Sequence, residues 1–597
     1  MTDASQGSTT TATTEPTLNA RVAYAFCKFS GGFWRGPTAA RAWGLTLGLA
    51  LCLAASTAVT VALNQWNRSF FDALETKNVS AFSQATITVA VIVALMAAVG
   101  VGIVLTRETL QVRWREWLID QLLKRWLGER RFYHLAAART EPANPEYRIA
   151  DDTRWAVEHL TDLAIGLVIA VLNAATFISV LWTVGGAYTL SLGASTVMIP
   201  AYMVLVALAY GALMSILMVR VGWRLPGVVY AKNEREGDFR FAMMRLRENA
   251  ESVAVMSGHH AEQTILRRMF DRVVASWTQV ISKHGHLTWI TNTTGPLLQN
   301  QIVPLLFAAP KYLSGELTLG QVTQLAGAFV IVQGAISWIV DNFSRFSEWY
   351  ASAKRIMDII EACDELDRKQ ATAGVGICFD ASRDQGLSLA RLAVRDPFGK
   401  SVISNINLTA RPGSSTLVSG ETSVGKSSLV RAVAGLWTDG EGAIRIPDDA
   451  RVMIVPQKPY VPLGTLRETL TYPDTGRPIA DDALRSALER VGLTGLGDEL
   501  DVDTRWDQRL SNGERQRLAI ARVLAQQPDV ILLDDALSAL DAAAQGELIR
   551  AVRGALPKAI LISLGQTLPP AGLHDQVVNM TRSGIAATIH MREREKT

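Results

Sequence analysis

The chain has 597 residues, 49% of them hydrophobic and only 19% charged, with a formal net charge of +3. That length exceeds a single hydrophobic core, so several domains are expected. The apolar excess excludes an ordinary soluble protein, and the mild charge gives no reason to expect a nucleic-acid partner. Four scattered cysteines, Cys27, Cys52, Cys363 and Cys378, show no metal spacing and read as free thiols of a reducing compartment.

Residues 1–20 are rich in Thr, Ser and Ala and contain no Lys, Arg or apolar run, so they read as a disordered tail rather than a signal peptide. Aromatic and basic residues then mix from Arg21 to Arg35, as in an interfacial helix or the flank of a first span. Six uncharged apolar stretches follow, at 43–64, 86–105, 163–184, 194–219, 289–309 and 322–340. Each is about the length a helix needs to cross ~30 Å of hydrocarbon, and the fifth is the least apolar. Segments 65–85, 185–193 and 310–321 hold three basic residues, whereas 106–162 and 220–288 hold twenty-one. The positive-inside rule makes the two long segments cytoplasmic, and with them both termini. Helical spacing of apolar residues in 114–126 and 236–251 predicts that membrane helices extend into the cytoplasm.

Polar residues punctuate the first and fifth spans: Asn64, Gln65 and Asn67, then 291–294, Gly295, Pro296, Gln299, Asn300 and Gln301. Two readings stand, interhelical hydrogen bonds or a polar translocation cavity. A polar linker is predicted at 366–386, and from 387 to 597 strands and helices alternate, as in an α/β domain.

Within that domain, Gly420-Glu421-Thr422-Ser423-Val424-Gly425-Lys426-Ser427 fits G-x-x-x-x-G-K-[ST] between a predicted strand and a predicted helix. Backbone N–H groups and the helix dipole cradle phosphates there, Lys426 reaches the β/γ-phosphates, and Ser427 is placed to hold Mg²⁺. The cofactor expectation is ATP with Mg²⁺. The apolar run ending in Asp534 and Asp535 places the first carboxylate for Mg²⁺. Three further signals are Gln457, Leu510-Ser511-Asn512-Gly513-Glu514, and Ser538 through Asp541.

Together these residues resemble an ATP-binding cassette (ABC) domain. The resemblance implies that Gln457 is the Q-loop residue, in contact with metal and attacking water. It makes Asp534 the Walker B carboxylate, 510–514 the signature and 538–541 the D-loop. Ser511, Gly513 and Glu514 would then meet ATP held by another chain's P-loop, so a dimer is implied. The membrane half, through 64–74, 114–118, 144–152, 236–240 and 247–251, is similar to the SbmA/BacA-like group. Its members import peptides, and fused relatives take up vitamin B12 and other hydrophilic compounds. The group is akin to the peroxisomal ABCD transporters. The expected fold is an α-helical six-span membrane domain, ABC exporter-like, over residues 21–365, followed by an α/β P-loop ABC ATPase domain. The expected protein is a multi-pass ATP-driven importer of a bacterial inner membrane, with its ATPase domain cytoplasmic.

Three departures from the pattern qualify that expectation. Asp535 stands where Glu usually polarises the attacking water, Gln566 stands at the switch-histidine position, and Ser423 replaces a frequent Gly. No aromatic occupies the usual adenine-stacking position, with Phe398 the nearest substitute. Two arrangements fit: a homodimer with two slow sites, or a heterodimer in which this chain's signature serves a related half-transporter. A lipid or fatty-acyl transporter and an ATP-binding regulator are the alternative functions.

Overall fold

The computed structural model describes residues 20–142, 144–192, 195–222, 225–372, 376–382, 386–421, 423–474, 476–565, 572–583 and 586–591. The tail expected over residues 1–20 lies almost wholly outside the described residues, and so do Thr422 and Gln566. The chain separates into two compact units, residues 1–131 with 141–363, and residues 132–140 with 364–597.

The first unit is helical. After α1 (Ala20–Ser30) come α2 (Ala39–Glu75), α3 (Val79–Leu127) and α4 (Thr153–Gly185). A hairpin of β1 (Tyr188–Leu192) and β2 (Ser195–Ile199) precedes α5 (Tyr202–Gly222). Then follow α6 (Leu225–Glu248), α7 (His259–Thr293), α8 (Val303–Leu313), α9 (Leu319–Asp341) and α10 (Phe343–Thr372). Among the described residues five helical stretches, those containing α2, α3, α4, α5 and α9, are long and apolar enough to cross a membrane.

Two predicted spans differ in detail. The start of the fourth forms β2, because Pro200 disfavours helical backbone at Ile199 and Thr196-Val197 suits a strand. The fifth falls on the end of α7, a π-helical run Thr294–Ile302 and α8, and is not among the five apolar helices. Its Asn, Gln and Thr content lowers its hydropathy. As predicted, α3 continues far beyond its apolar stretch: Leu110, Trp114, Leu118 and Leu122 recur every fourth residue and bury one face.

Residues quoted for the resemblance sit where α2 joins α9. Asn64 Nδ2 donates to the Gln324 carbonyl at 3.0 Å, which is the interhelical reading of that residue. Asp72 and Glu75 accept the N-terminal amides of α9, from Gly320 at 3.0 Å and Leu319 at 2.8 Å. A Cβ on Gly320 would lie 2.2 Å from the Arg68 carbonyl, so only glycine permits this approach. A second junction joins a π-helical turn, Arg148–Asp152, to α10. Asp152, fully buried, takes a bidentate ion pair from Arg355 at 2.7 and 2.6 Å, while Arg148 reaches Asp358 at 3.2 Å.

The second unit carries a ten-stranded sheet in the order β3-β7-β4-β5-β12-β11-β6-β10-β9-β8. Its strands are β3 (Cys378–Ser382), β4 (Leu387–Arg395), β5 (Ser401–Ala410), β6 (Ser415–Gly420), β7 (Gly440–Pro447) and β8 (Val452–Val455). They continue with β9 (Val530–Asp534), β10 (Ile560–Gly565), β11 (Gln576–Ser583) and β12 (Ala586–Met591). β11, β6, β10, β9 and β8 run parallel, and β6, β9 and β10 are buried almost throughout. Helices on both faces give such strands their unbroken apolar runs. The helices of this unit include α11 (Lys426–Val433), α12 (Leu466–Thr471), α13 (Asp481–Arg490), α14 (Asn512–Gln526) and α15 (Ala542–Ala555). The predicted linker 366–386 is partly ordered: α10 runs on to Thr372, helped by Glu365 pairing with Arg368 and Lys369, and β3 follows.

Candidate functional site

β6 ends at Gly420 and α11 begins at Lys426, so the loop between them opens directly onto a helix N-terminus. Two glycines are sterically required there. A Cβ on Gly420 would lie 2.7 Å from the Met580 carbonyl, and Gly425 has φ +114° with the Met580 side chain beside it. Ser423 also has a positive φ, +63°, which explains why glycine is common at that position. Lys426 is buried, and its Nζ donates to the carbonyls of Gly420 at 2.5 Å and Glu421 at 3.0 Å. Val424, Leu429 and Val430 anchor the loop and helix in the core beneath.

β9 lies two strands from β6 and delivers Asp534 to the same end of the sheet. Ser427 Oγ donates to Asp534 Oδ1 at 3.2 Å, which joins the loop to the β9 carboxylate. Burial raises the Asp534 carboxyl pKa, the Ser427 hydrogen bond opposes this, and the Asp535 carboxylate raises it further. A hydroxyl and a carboxylate side by side are hard oxygen donors that suit Mg²⁺ when phosphate oxygens complete the shell. Asp535 stands in left-handed backbone at φ +49°, held by its N–H to the Leu564 carbonyl at 2.9 Å. Aspartate tolerates that region better than most residues.

Gln457 is exposed in the loop after β8, and its carbonyl accepts from Gln516 Nε2 at 3.4 Å. Ser511 caps α14: its Oγ accepts from Glu514 N, and Glu514 Oε2 accepts from Ser511 N at 2.9 Å and Ser511 Oγ at 2.8 Å. These bonds, the backbone N–H first, hold the Glu514 carboxyl below its usual range. The Glu514 carboxylate therefore shapes the 511–514 turn. Gly513 lies against Leu540, where an added Cβ would be 3.2 Å from Leu540 Cδ2. Asp541 caps α15 through Ala544 N at 2.8 Å.

The structure thus brings Gly420, Glu421, Ser423, Val424, Gly425, Lys426, Ser427, Asp534 and Asp535 to one end of the sheet. Among the described residues no hydrogen bond links that group to Ser511, Gly513 or Glu514. Phe398 is exposed in the turn between β4 and β5. Sequence reasoning missed Met580, whose backbone and side chain shape both glycine positions. It gave no role to Gln516, which is buried with its polar ends used. Its signal was a glutamine three, four and seven residues before Ala519, Ile520 and Val523, on the same buried helical face. His574, left unused by the motif reading, is buried with Nε2 3.0 Å from Ser563 Oγ. Burial and then Arg553 push its pKa down to about 4.

The family described as ABC transporter transmembrane region 2 matches residues 36–312, and the ABC transporter family matches residues 403–538. A Synechocystis ABC transporter ATP-binding protein, itself uncharacterized, is 30% identical over 494 residues, 80% of this chain and 71% of the relative. The Escherichia coli inner membrane ABC transporter ATP-binding protein YddA is 26% identical, covering 84% of this chain and 87% of its own. The human lysosomal cobalamin transporter ABCD4 is 27% identical, over 81% and 82% of the two chains.

Proposed function

This chain belongs to the ABC transporter family, and we propose on that premise that it moves a hydrophilic solute, such as a peptide or cobalamin-like compound, inward across a bacterial inner membrane. Permease and ATPase are fused in one chain of the ABCD type, and ATP hydrolysis is coupled to transport. The observation that carries the ATP site is the Gly420–Lys426–Ser427–Asp534 constellation, with Ser427 Oγ 3.2 Å from Asp534. Gly420 through Ser427 bind the phosphates, with α11 contributing its dipole and Lys426 its charge. Ser427 and Asp534, together with Gln457, would hold Mg²⁺, which when bound would supply positive charge against the phosphate oxygens. Asp535 orients the attacking water as the general base.

The cargo class rests on the similarity to a cobalamin transporter, and the membrane on the similarity to an inner-membrane protein. The dimer rests on the signature: among the described residues Ser511, Gly513 and Glu514 make no hydrogen bond to this chain's own P-loop, and they serve another's. Phe241, Met243, Met244, Phe270 and Trp277 on α6 and α7 are exposed, apolar surface that a second chain would cover. Asp535 is one methylene shorter than glutamate, so each P-loop site of a homodimer turns over slowly. Closure of the ATPase pair then switches the facing of the membrane cavity.

The test is uptake of cobalamin and of a labelled peptide by sealed vesicles of each orientation, with wild type against Lys426→Ala. ATP-dependent accumulation in one orientation, lost in Lys426→Ala, is expected. Equal uptake by both proteins overturns the ATP-driven reading, and accumulation only in inside-out vesicles overturns import.

A further inference from the structure

α14 is bonded along its length to the segment that follows Gln457. Arg522 Nε donates to the Thr469 carbonyl at 2.8 Å and its second terminal nitrogen to the Tyr460 carbonyl at 3.1 Å. Gln526 Nε2 donates to the carbonyls of Leu470 at 3.0 Å and Tyr472 at 2.7 Å. Helix and segment are therefore joined by side chains that reach backbone, and neither shifts without breaking these bonds.

Gln516, on the same helix, does something different. It is 4% exposed, and its two polar ends face two different motif loops. Nε2 donates to the Gln457 carbonyl at 3.4 Å, and Oε1 accepts from Ala539 N at 2.9 Å. Among the described residues it is the one side chain that bonds both loops. Ala539 lies inside 538–541, which leads from Asp535 to the Asp541 cap of α15, and Ser538 N returns to the Asp535 carbonyl at 3.2 Å. A displacement of the Gln457 loop thus has a bonded route through one buried amide to the loop that follows Asp535.

We propose that Gln516 is a positioning residue for ATP hydrolysis, holding the Gln457 loop and the 538–541 loop in register so that Gln457 and Asp535 reach the attacking water together. The amide is specific: a carboxylate keeps the acceptor for Ala539 N but loses the donor for Gln457, and an apolar side chain of similar length loses both. The proposal rests on the water-activating roles given to Gln457 and Asp535 above. It touches nothing in the phosphate cradle, so nucleotide affinity and turnover separate.

The experiment compares wild type, Gln516→Met, Gln516→Glu and Lys426→Ala as full-length chains in lipid nanodiscs. Turnover at saturating ATP, the Kd of a fluorescent ATP analogue and the melting temperature are measured for each. Gln516→Met is expected to bind the analogue within about twofold of wild type while kcat falls roughly ten- to hundredfold, the scale of a sub-ångström to 1 Å misplacement. Gln516→Glu is expected to recover turnover relative to wild type as pH is lowered, because a protonated carboxyl again donates to Gln457. Wild-type kcat in both variants overturns the proposal, as does a kcat loss matched by an equal loss of affinity, or a flat pH ratio for Gln516→Glu. If Gln516→Met melts early, the isosteric Gln516→Glu decides alone. Turnover that survives Lys426→Ala would instead overturn the ATP-site reading, whatever the Gln516 variants do.

Discussion

Replacing Asp535 by glutamate extends the carboxylate by one methylene, about 1.5 Å, from a backbone that the Leu564 hydrogen bond holds in place. A 1 Å misplacement of a reacting group can cost about a hundredfold in rate, so restoring that reach is expected to raise turnover roughly a hundredfold, or ~2.7 kcal/mol of barrier. The same change has a structural cost. Asp535 has φ +49°, a region aspartate tolerates and glutamate disfavours. About 1 kcal/mol of strain follows, which lowers the melting temperature of an ATPase domain of this size by about 2–4 °C. Activity and stability therefore move in opposite directions. The assay is steady-state phosphate release by the purified chain at saturating ATP, alongside a thermal melt and analogue binding. Asp535→Glu with unchanged affinity and a turnover no higher than wild type would refute the assignment of Asp535 to the attacking water.

At Ser423, φ +63° makes melting temperature follow backbone freedom. Ser423→Gly is expected to match or exceed wild type, and the β-branched Ser423→Val to lose at least ~1 kcal/mol, read by a melt of the ATPase unit. His574 is held neutral, its pKa about 4 against the ordinary 6.5. The unfolded chain therefore takes up the proton first, so stability is complete above pH 6.5 and falls as pH drops from 6.5 toward 4. The slope is about 1.4 kcal/mol per pH unit, roughly 3 kcal/mol over the window. His574→Gln should remove that part of the pH dependence, and parallel curves for the two proteins would contradict it. In the membrane unit, Asp152→Ala removes a buried partner from Arg355, itself partly exposed, and is expected to cost roughly 2–3 kcal/mol. Arg355→Lys should be nearly as damaging, because lysine cannot make the bidentate pair. Tryptophan fluorescence melts, with Trp349 close on the same helix, report both.

Much of the ATP site was legible in the residues because its geometry is local. A strand, a tight loop and a helix N-terminus are consecutive in the chain, so Gly420 through Ser427 announce their own shape. Gly420, however, is required by the Met580 carbonyl, which is distant in sequence and adjacent only through the pairing of β11 with β6. The spans were legible by length and composition, the fifth least clearly; what was not legible there is the π-helical run Thr294–Ile302, which lies among its amide-rich residues. Asn64 illustrates the ambiguity: its type allowed a cavity or a helix contact, and only the Gln324 carbonyl beside it decides for contact.

Sequence alone determined that a helical membrane half precedes a nucleotide-binding half, because hydrophobic length and the P-loop spacing are properties of consecutive residues. Tertiary structure decided which side chains join the motifs: Ser427 to Asp534, Gln516 to both Gln457 and Ala539, Asp152 to Arg355. The partners lie between 23 and 203 residues apart along the chain. A buried polar group must find its partner in space, and nothing in its neighbours along the sequence states which one that is.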